Sequence, residues 1–204
     1  PVAGILLIGI IMLLINPFVA AINTGLNNFL FSMSGVNKII LGAILAGMMS
    51  VDLGGPVNKA AYTFGTGMLA EGHYEIMAAV MIGGMVAPLA IALLATFFPR
   101  KLPKKERQAG LLNYIMGLSF ISEGAIPFAS ADPIRVLPAC IIGSAVSGAL
   151  SMAFNCTLMA PHGVIFVLPL IGNAIWYAVA LVLGSFVAAG IMTILKKNVW
   201  ENKE

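Results

Sequence analysis

A carboxylate at a helix break is the feature of this sequence best suited to chemistry. Glu123 directly follows Ser122 at the end of the apolar run 111–121, and Gly124 and Pro127 come just after it. Glycine and proline interrupt a helix, so the acid is expected where the backbone is irregular. A carboxylate in that position can accept hydrogen bonds from hydroxyl groups, such as those of a sugar, or take a proton from one as a general base. We expect Glu123 to contact a ligand.

A second stretch, residues 48–65, combines polar side chains with another break. Asp52 ends an apolar helix, the run 54–56 (Gly-Gly-Pro) interrupts it, and Asn58 and Lys59 follow. The interrupted backbone releases amides and carbonyls that can bind a polar ligand. Two interpretations stay open: Asp52 and Asn58 contact the ligand, or an Asp52–Lys59 ion pair holds the broken helix together.

Two further polar positions also have a structural and a functional interpretation. His162 lies between Pro161 and Gly163. A lone histidine is often a satisfied core or interface residue, but the irregular backbone around it leaves ligand contact open. Asp132 precedes a proline and is suited to cap the N-terminus of the next helix, with Arg135 as its ion-pair partner. For Asp132 we favour the cap over ligand contact.

The composition places these residues in a membrane protein. Of the 204 residues, 60% are hydrophobic and 9% charged, whereas about 25% of the residues of a soluble domain are charged. The apolar runs, such as 5–15 and 175–195, are long and do not alternate as the strands of a membrane barrel do. We predict an all-α, polytopic transmembrane domain. Ionisable groups inside membrane segments cost at least about 2.5–3.5 kcal/mol each, so the acids above are functional candidates.

The elements that position these residues are long apolar segments and two shorter ones. A membrane span needs about 20 mostly apolar residues. The predicted spans are residues 2–22, 39–69 (broken in its middle), 76–98, 134–154 and 175–195. The shorter pieces, 108–121 and 164–172, are too short to cross as single helices. We expect them to be re-entrant or broken helices inside the protein.

Basic residues predict the orientation of these spans. The loop 99–107 carries five lysines and arginines, and the C-terminal tail carries three lysines. Both are expected on the cytoplasmic side. Counting back from this loop places residues 70–75 outside, makes 39–69 a crossing, and puts Lys38 in the cytoplasm.

Several function classes find no support in the sequence. It contains no GxxxxGK[ST] or GxGxxG pattern, and its two histidines and two cysteines lie far apart, so neither a cofactor nor a metal site is predicted. The net charge of +3 comes mainly from the basic loop, which gives no reason to expect nucleic-acid binding. Cys140 and Cys156 have apolar neighbours and are expected to be small buried hydrophobes.

Three of these stretches, taken in order, resemble one protein family. They are "DLGGPVNKAAY" (52–62), "FISEGAIPFASADP" (120–133) and "LMAPHG" (158–163). The pattern is similar to that of the fructose family of the membrane component, enzyme IIC, of the bacterial phosphoenolpyruvate-dependent sugar phosphotransferase system. The resemblance extends over residues 41–197. Because the chain starts inside an apolar run, we expect residues 1–204 to be the C-terminal part of a longer IIC domain.

The resemblance implies a function and partners. A member of this family binds a sugar from outside, moves it inward, and receives a phosphoryl group on the sugar from a phosphocysteine of the IIB component; IIA is the other expected partner. The chain is thus expected to be the membrane subunit of a sugar phosphotransferase in the bacterial inner membrane, forming a homodimer. The alternative that composition alone leaves open is a secondary sugar transporter driven by an ion gradient, without phosphorylation.

The resemblance also implies site residues and a substrate. Glu123, in the "I-[ST]-E" pattern with Ser122 and next to Gly124, would bind and orient the hydroxyl that receives the phosphoryl group. His162, Asn58 and Asp52 are further candidates for sugar binding. Two departures from the common family pattern bear on the sugar, which could be fructose, mannose or a mannosyl glycoside: Val164 stands in place of glycine, and "FASADP" (128–133), with Ser130, stands in place of "FAARDP" and lacks its positive charge.

Overall fold

The computed structural model describes residues 2–33 and 38–198 and is almost entirely helical. Apart from a two-residue antiparallel pairing, in which Thr157 is opposite Gly172, the described residues form helices and short 3₁₀ turns. The elements are α1 (Val2–Met33), α2 (Lys38–Met49), α3 (Pro56–Ala70), α4 (Tyr74–Phe97), α5 (Lys104–Leu118), α6 (Ile126–Ala131), α7 (Pro133–Ala153), β1 (Thr157–Leu158), α8 (Val164–Val167), β2 (Ile171–Gly172) and α9 (Ala174–Leu195), with 3₁₀ turns at Pro99–Lys101, Ser122–Ala125 and Leu168–Leu170.

Three helices are long and apolar enough to cross a membrane: α4, α7 and α9. They correspond to the predicted spans 76–98, 134–154 and 175–195, and they confirm the all-α membrane fold. The predicted span 2–22 lies within α1, whose described apolar stretch, Gly4–Pro17, is shorter than a span. Helix α4 is buried along almost its whole length and forms the centre of the bundle.

Small residues bring the helices of the bundle into close contact. A Cβ added at Gly83 would lie 2.6 Å from the carbonyl oxygen of Ala46, and one added at Gly143 would lie 2.6 Å from that of Gly184. Backbones that approach this closely are typical of membrane helices, where van der Waals packing drives association. Hydroxyls add hydrogen bonds between helices, since Ser144 Oγ donates to the carbonyl of Gly83 at 2.9 Å.

Helices α2 and α3 form a hairpin that enters the bundle and turns back. Lys38, at the start of α2, forms an ion pair of 3.5 Å with Glu75, at the start of α4. Farther along, Ala46 packs against Gly83 of α4, while Gly65 of α3 packs against Met77, nearer the start of α4. α2 therefore runs alongside α4 to its middle, and α3 returns to the end of α4 at Tyr74.

The prediction that residues 39–69 cross the membrane was therefore wrong. α2 and α3 have 12 and 15 residues, and at about 1.5 Å per residue each is about 18–22 Å long, shorter than a crossing. Residues 50–55 reverse the chain instead of passing it on. Lys38 consequently lies at the same end of the bundle as residues 70–75, and its predicted placement on the opposite side was also wrong.

A second hairpin enters from the other end of the bundle. Along α5, Gly110 packs against Ala95 and Gly117 against Leu89 of α4, so α5 runs from the Phe97 end of α4 towards its middle. The chain then returns to its starting end. Lys101 donates to the carbonyl of Lys196 at 2.6 Å, and Lys196 pairs with Asp132 at 3.4 Å. The predicted re-entrant piece 108–121 is confirmed.

A third re-entrant segment follows α7 and enters from the Tyr74 end. Asn173, just before α9, donates to the carbonyls of Phe154 and Asn155, just after α7, so the segment starts and finishes at the same place. Between these points Gly163 packs against the backbone of Ser119 and Phe120, at the tip of the second hairpin. The predicted re-entrant character of 164–172 is thereby confirmed for the segment as a whole.

Side-specific labelling tests the hairpin topology. We expect the Lys38→Cys and Glu71→Cys variants, made in a background without Cys140 and Cys156, to react with a membrane-impermeant maleimide from one side of oriented vesicles. The Lys104→Cys variant should react from the other side, because the structure places it beyond the far end of α4. Labelling of Lys38→Cys from the same side as Lys104→Cys would contradict the hairpin.

Candidate functional site

Three irregular segments meet beside the middle of α4. We call them the first break (residues 50–55), the second break (residues 119–125) and the third break (residues 160–163). The ring of Phe120, in the second break, packs against Gly84, which lies ten residues into α4, about 15 Å from its start at Tyr74. The breaks therefore lie at mid-depth in the helical bundle.

One tyrosine of α3 contacts both the second and the third break. The ring of Tyr62, on α3, stacks on that of Phe120 with 6.3 Å between the ring centres. Its hydroxyl lies 3.5 Å from the carbonyl oxygen of Pro161, to which it donates a long hydrogen bond. Tyr62 thus links the three sequence motifs. It was not among the predicted site residues, although it is the last residue of "DLGGPVNKAAY".

Asp52 and Asn58 hold the first break together. The Asp52 carboxylate accepts hydrogen bonds from the backbone N–H groups of Val57 at 2.7 Å and Asn58 at 3.0 Å, in the first turn of α3. A negative charge is favourable there because the helix dipole is positive at its N-terminus. The Asn58 amide donates to the carbonyl of Met49, the last residue of α2, at 2.7 Å.

These contacts test the structural interpretation of the first break, the Asp52–Lys59 ion pair. Lys59 is exposed, and the described salt bridges include none between it and Asp52, so the Asp52–Lys59 ion pair is not the device that holds the break. Asp52 and Asn58 instead satisfy the backbone groups that the break releases. Contact between either side chain and a ligand stays a prediction.

Glu123 faces the first break across the junction. A Cβ added at Gly54 would lie 2.8 Å from Oε1 of Glu123, so the carboxylate packs directly over this glycine. The φ of Gly54 is +108°, a conformation that favours glycine. Ser122, beside Glu123, is 4% exposed. Within the described residues, the Glu123 carboxylate has no ion-pair or hydrogen-bond partner, and Glu123 is exposed, so the carboxylate is available to a ligand.

A cavity of about 240 Å³ adjoins this carboxylate. It lies between α5, the second break and α6, and Ala109, Leu112, Asn113, Met116, Ile121, Glu123, Gly124, Pro127 and Phe128 line it. Asn113 was not predicted as a site residue. The signal available in the sequence was an amide side chain within the apolar run 111–121, but its burial became evident only from the packing of α5 on the second break.

His162 belongs to the junction through its backbone neighbours. Gly163 packs against residues of the second break, but the His162 side chain is exposed and its ring lies 6.2 Å from that of Phe166. Among the contacts of the described residues, none joins the imidazole to Glu123. The structure brings the second break, with Ser122, Glu123 and Gly124, against Gly54 of the first break, which Asp52 and Asn58 hold together.

Comparison with known proteins agrees with this arrangement of motifs. The sequence model of the family described as "Phosphotransferase system, EIIC" matches residues 2–143. The chain belongs to the EIIC family of the phosphotransferase system. It is therefore an integral membrane protein, and the resemblance found in the sequence motifs is confirmed. No solved structure matches the chain significantly.

Individual relatives of this EIIC chain carry fructose in their names. The chain is 49% identical to the "Fructose permease IIC component" of Bacillus amyloliquefaciens over 98% of its own length and 66% of the relative. It is 47% identical to the "PTS system fructose-specific EIIABC component" of Bacillus subtilis, over 98% of its length and 32% of the relative. It is 48% identical to the "PTS system fructose-specific EIIB'BC component" of Escherichia coli, over 97% and 36%. The chain spans two thirds or less of each of these relatives.

Asp132 lies at the start of a helix, as predicted, but its side chain forms ion pairs instead of a capping hydrogen bond. It occupies the N-cap position of α7, where its side chain forms no capping hydrogen bond. The carboxylate instead pairs with Arg135 at 3.2 Å and with Lys196 at 3.4 Å. The predicted Asp132–Arg135 pair is confirmed. The second pair joins the returning end of the second hairpin to the residue that follows α9.

The contacts of Asp52 predict a stability cost for its removal. We expect Asp52→Ala to lower the free energy of unfolding by about 0.5–2 kcal/mol, because two backbone N–H groups at the start of α3 lose their acceptor. Thermal unfolding of the purified protein in detergent measures this. The matched control is Glu71→Ala, at the exposed end of α3, which should unfold as the wild type does. An unchanged melting temperature for Asp52→Ala would show that Asp52 does not hold the break.

Proposed function

We propose that this chain forms part of a membrane permease that binds fructose and presents it for phosphorylation by an EIIB partner. The observation that carries this proposal is the position of Glu123. Its carboxylate lies at mid-depth in the bundle, at the junction of three breaks, and has no protein partner among the described residues. Transporters place substrate sites near the bilayer midplane, where discontinuous helices meet. The fructose-specific names of the relatives support the choice of sugar.

The chemistry assigned to Glu123 is orientation of a sugar hydroxyl and acceptance of its proton. As the hydroxyl oxygen forms a bond to phosphorus, the phosphorus–sulfur bond of the EIIB phosphocysteine breaks and the electron pair leaves with the thiolate. The hydroxyl proton passes to the carboxylate. Phosphoryl transfer depends mainly on such positioning and on electrostatic stabilisation. The chain is then the membrane subunit of a transferase whose phosphoryl donor lies on the partner.

The two cysteines of the chain support this division of labour. Cys140 lies inside the spanning helix α7, and both Cys140 and Cys156 are buried free thiols. A phosphoryl carrier must be reached by its donor and its acceptor, and a buried thiol is not. The donor cysteine is therefore assigned to EIIB, in keeping with the EIIABC and EIIB'BC names of two relatives.

The orientation and assembly follow from charge and from the family. Lys101 and Lys196 lie together at the Phe97 end of α4, with the rest of the basic loop 99–107, and basic loops favour the cytoplasmic side. This end then faces EIIB, while Lys38 and residues 70–75 face outward. From the family resemblance we also expect the chain to form a homodimer. An ion-coupled sugar transporter without phosphorylation is the alternative function, and it uses the same mid-depth polar groups.

The experiment uses the full-length permease in membrane vesicles with EIIA, EIIB and phosphoenolpyruvate. We expect the wild type to take up labelled fructose and release fructose phosphate. Glu123→Gln should lose fructose affinity and product formation by at least tenfold. The amide keeps the size of the side chain, but it replaces one acceptor oxygen with a donor, which weakens binding, and it cannot accept the proton, which slows transfer. Binding of labelled fructose and product chromatography measure the two effects.

The controls separate site from scaffold and permease from ion-coupled transporter. Glu71→Gln, an exposed acid at the end of α3, should behave as the wild type. Normal binding and phosphorylation by Glu123→Gln would remove Glu123 from the site. Uptake of unmodified sugar, driven by an ion gradient and independent of phosphoenolpyruvate, would favour the alternative. Phosphorylation of mannose or a mannosyl glycoside instead of fructose would keep the mechanism and change the substrate.

A further inference from the structure

An amide side chain beside the Glu123 cavity is buried with its oxygen unpaired. Asn113, on α5, is 1% exposed. Its Nδ2 donates to the carbonyl of Ala109 at 3.2 Å, within the same helix. Its Oδ1 has no partner. Among the described residues, this oxygen and the Ser151 hydroxyl are the buried side-chain atoms without one. Buried polar atoms are nearly always hydrogen-bonded, so such an exception needs an explanation.

The unpaired oxygen is directed at the second break. A Cβ added at Gly124 would collide first with Asn113 Oδ1 and next with Met116 Sδ, at 2.6 Å. Gly124 follows Glu123 in the chain, and Asn113, Glu123 and Gly124 line the same cavity of about 240 Å³. Glu123 and Asn113 therefore line one cavity, and the amide oxygen of Asn113 lies against Gly124, which has no side chain.

The rest of this cavity offers no hydrogen-bond donor from a side chain. Apart from Asn113 and Glu123, its lining side chains are apolar: Ala109, Leu112, Met116, Ile121, Pro127 and Phe128, with Gly124. The Glu123 carboxylate borders the cavity, and the unpaired oxygen of Asn113 is buried at its edge, against Gly124. A ligand that satisfies both must supply several donors close together. Neighbouring hydroxyls of a sugar have this property.

We propose that Asn113 is a sugar-binding residue whose Oδ1 accepts a hydrogen bond from a hydroxyl adjacent to the one that Glu123 holds. This inference rests on the proposed function and adds to it a residue that selects the sugar. In this structure Gly124 lies against the oxygen. The hydroxyl therefore reaches the oxygen when the backbone at Gly124 moves aside, and Gly124 has no side chain that would have to move with it. A site built to pair with a hydroxyl discriminates strongly against analogues that lack it, because the buried acceptor is then left unpaired.

The test compares Asn113→Leu with the wild type in the full-length permease, reconstituted in vesicles, using D-fructose and a series of monodeoxy-fructoses as probes. Leucine keeps the approximate shape of asparagine and removes the acceptor. We expect fructose to bind Asn113→Leu at least tenfold more weakly than the wild type. We also expect one monodeoxy-fructose, lacking the hydroxyl that Asn113 accepts from, to bind both proteins with equal affinity. A purely structural role would not produce this selective loss.

A second measurement separates binding from folding. Because Oδ1 has no partner among the residues that the structure describes, thermal unfolding of Asn113→Leu without sugar should occur near the wild-type temperature, while stabilisation by added fructose is reduced. The matched control is Ser151→Ala, which removes the other unpartnered buried atom, away from this cavity, and should leave fructose affinity unchanged.

The outcomes against the inference are distinct from those against the proposed function. If the wild type binds and phosphorylates fructose and Asn113→Leu does so with unchanged affinity, the inference fails alone. It also fails if Asn113→Leu loses affinity for fructose and every deoxy analogue by the same factor. A wild type that binds no sugar overturns the proposed function and the inference with it.

Discussion

The need to satisfy backbone polar groups within a membrane governs this structure. A broken helix exposes N–H and C=O groups that lipid cannot bind, so a break is tolerated only inside protein or beside a polar cavity. The first break meets this need with its own side chains, since Asp52 accepts from the amides of α3 and Asn58 donates to the last carbonyl of α2. One polar group at the junction is not used in this way: Glu123 lies against Gly54 without a partner among the described residues.

Glycines of the scaffold set the depth at which the breaks meet. Helix α5 lies close to α4 because Gly110 and Gly117 offer no side chain at the contact. The helix therefore ends beside the middle of α4, and Phe120 packs against Gly84. Because the first and third breaks approach from the Tyr74 end and the second from the Phe97 end, the junction lies between two sides of the bundle.

Local sequence features predicted part of this fold well. Hydropathy and length identified α4, α7 and α9, and the shortness of 108–121 and 164–172 identified re-entrant segments. The same reasoning failed at 39–69. Together, α2 and α3 have the length expected of one interrupted membrane span, but the turn between them reverses the chain. The reversal is evident from long-range contacts, such as Lys38 with Glu75, that no local pattern encodes.

The candidate site shows the same division between local and tertiary information. Glu123 was predictable because an acid between an apolar run and a glycine is a local pattern. The role of Asp52 at the first break was not, since its partners are backbone amides and not the nearby Lys59. Tyr62 and Asn113 were missed because an aromatic or an amide in an apolar segment gains its meaning from what packs against it.

The most direct test of the account is a cryo-electron microscopy structure of the full-length permease in lipid nanodiscs with fructose. The account predicts sugar density within hydrogen-bonding distance of Glu123, at mid-depth and bordered by the first, second and third breaks. Density elsewhere, or a Glu123 carboxylate occupied by a protein partner while sugar is bound, would contradict the claim that the three breaks meet to form the sugar site.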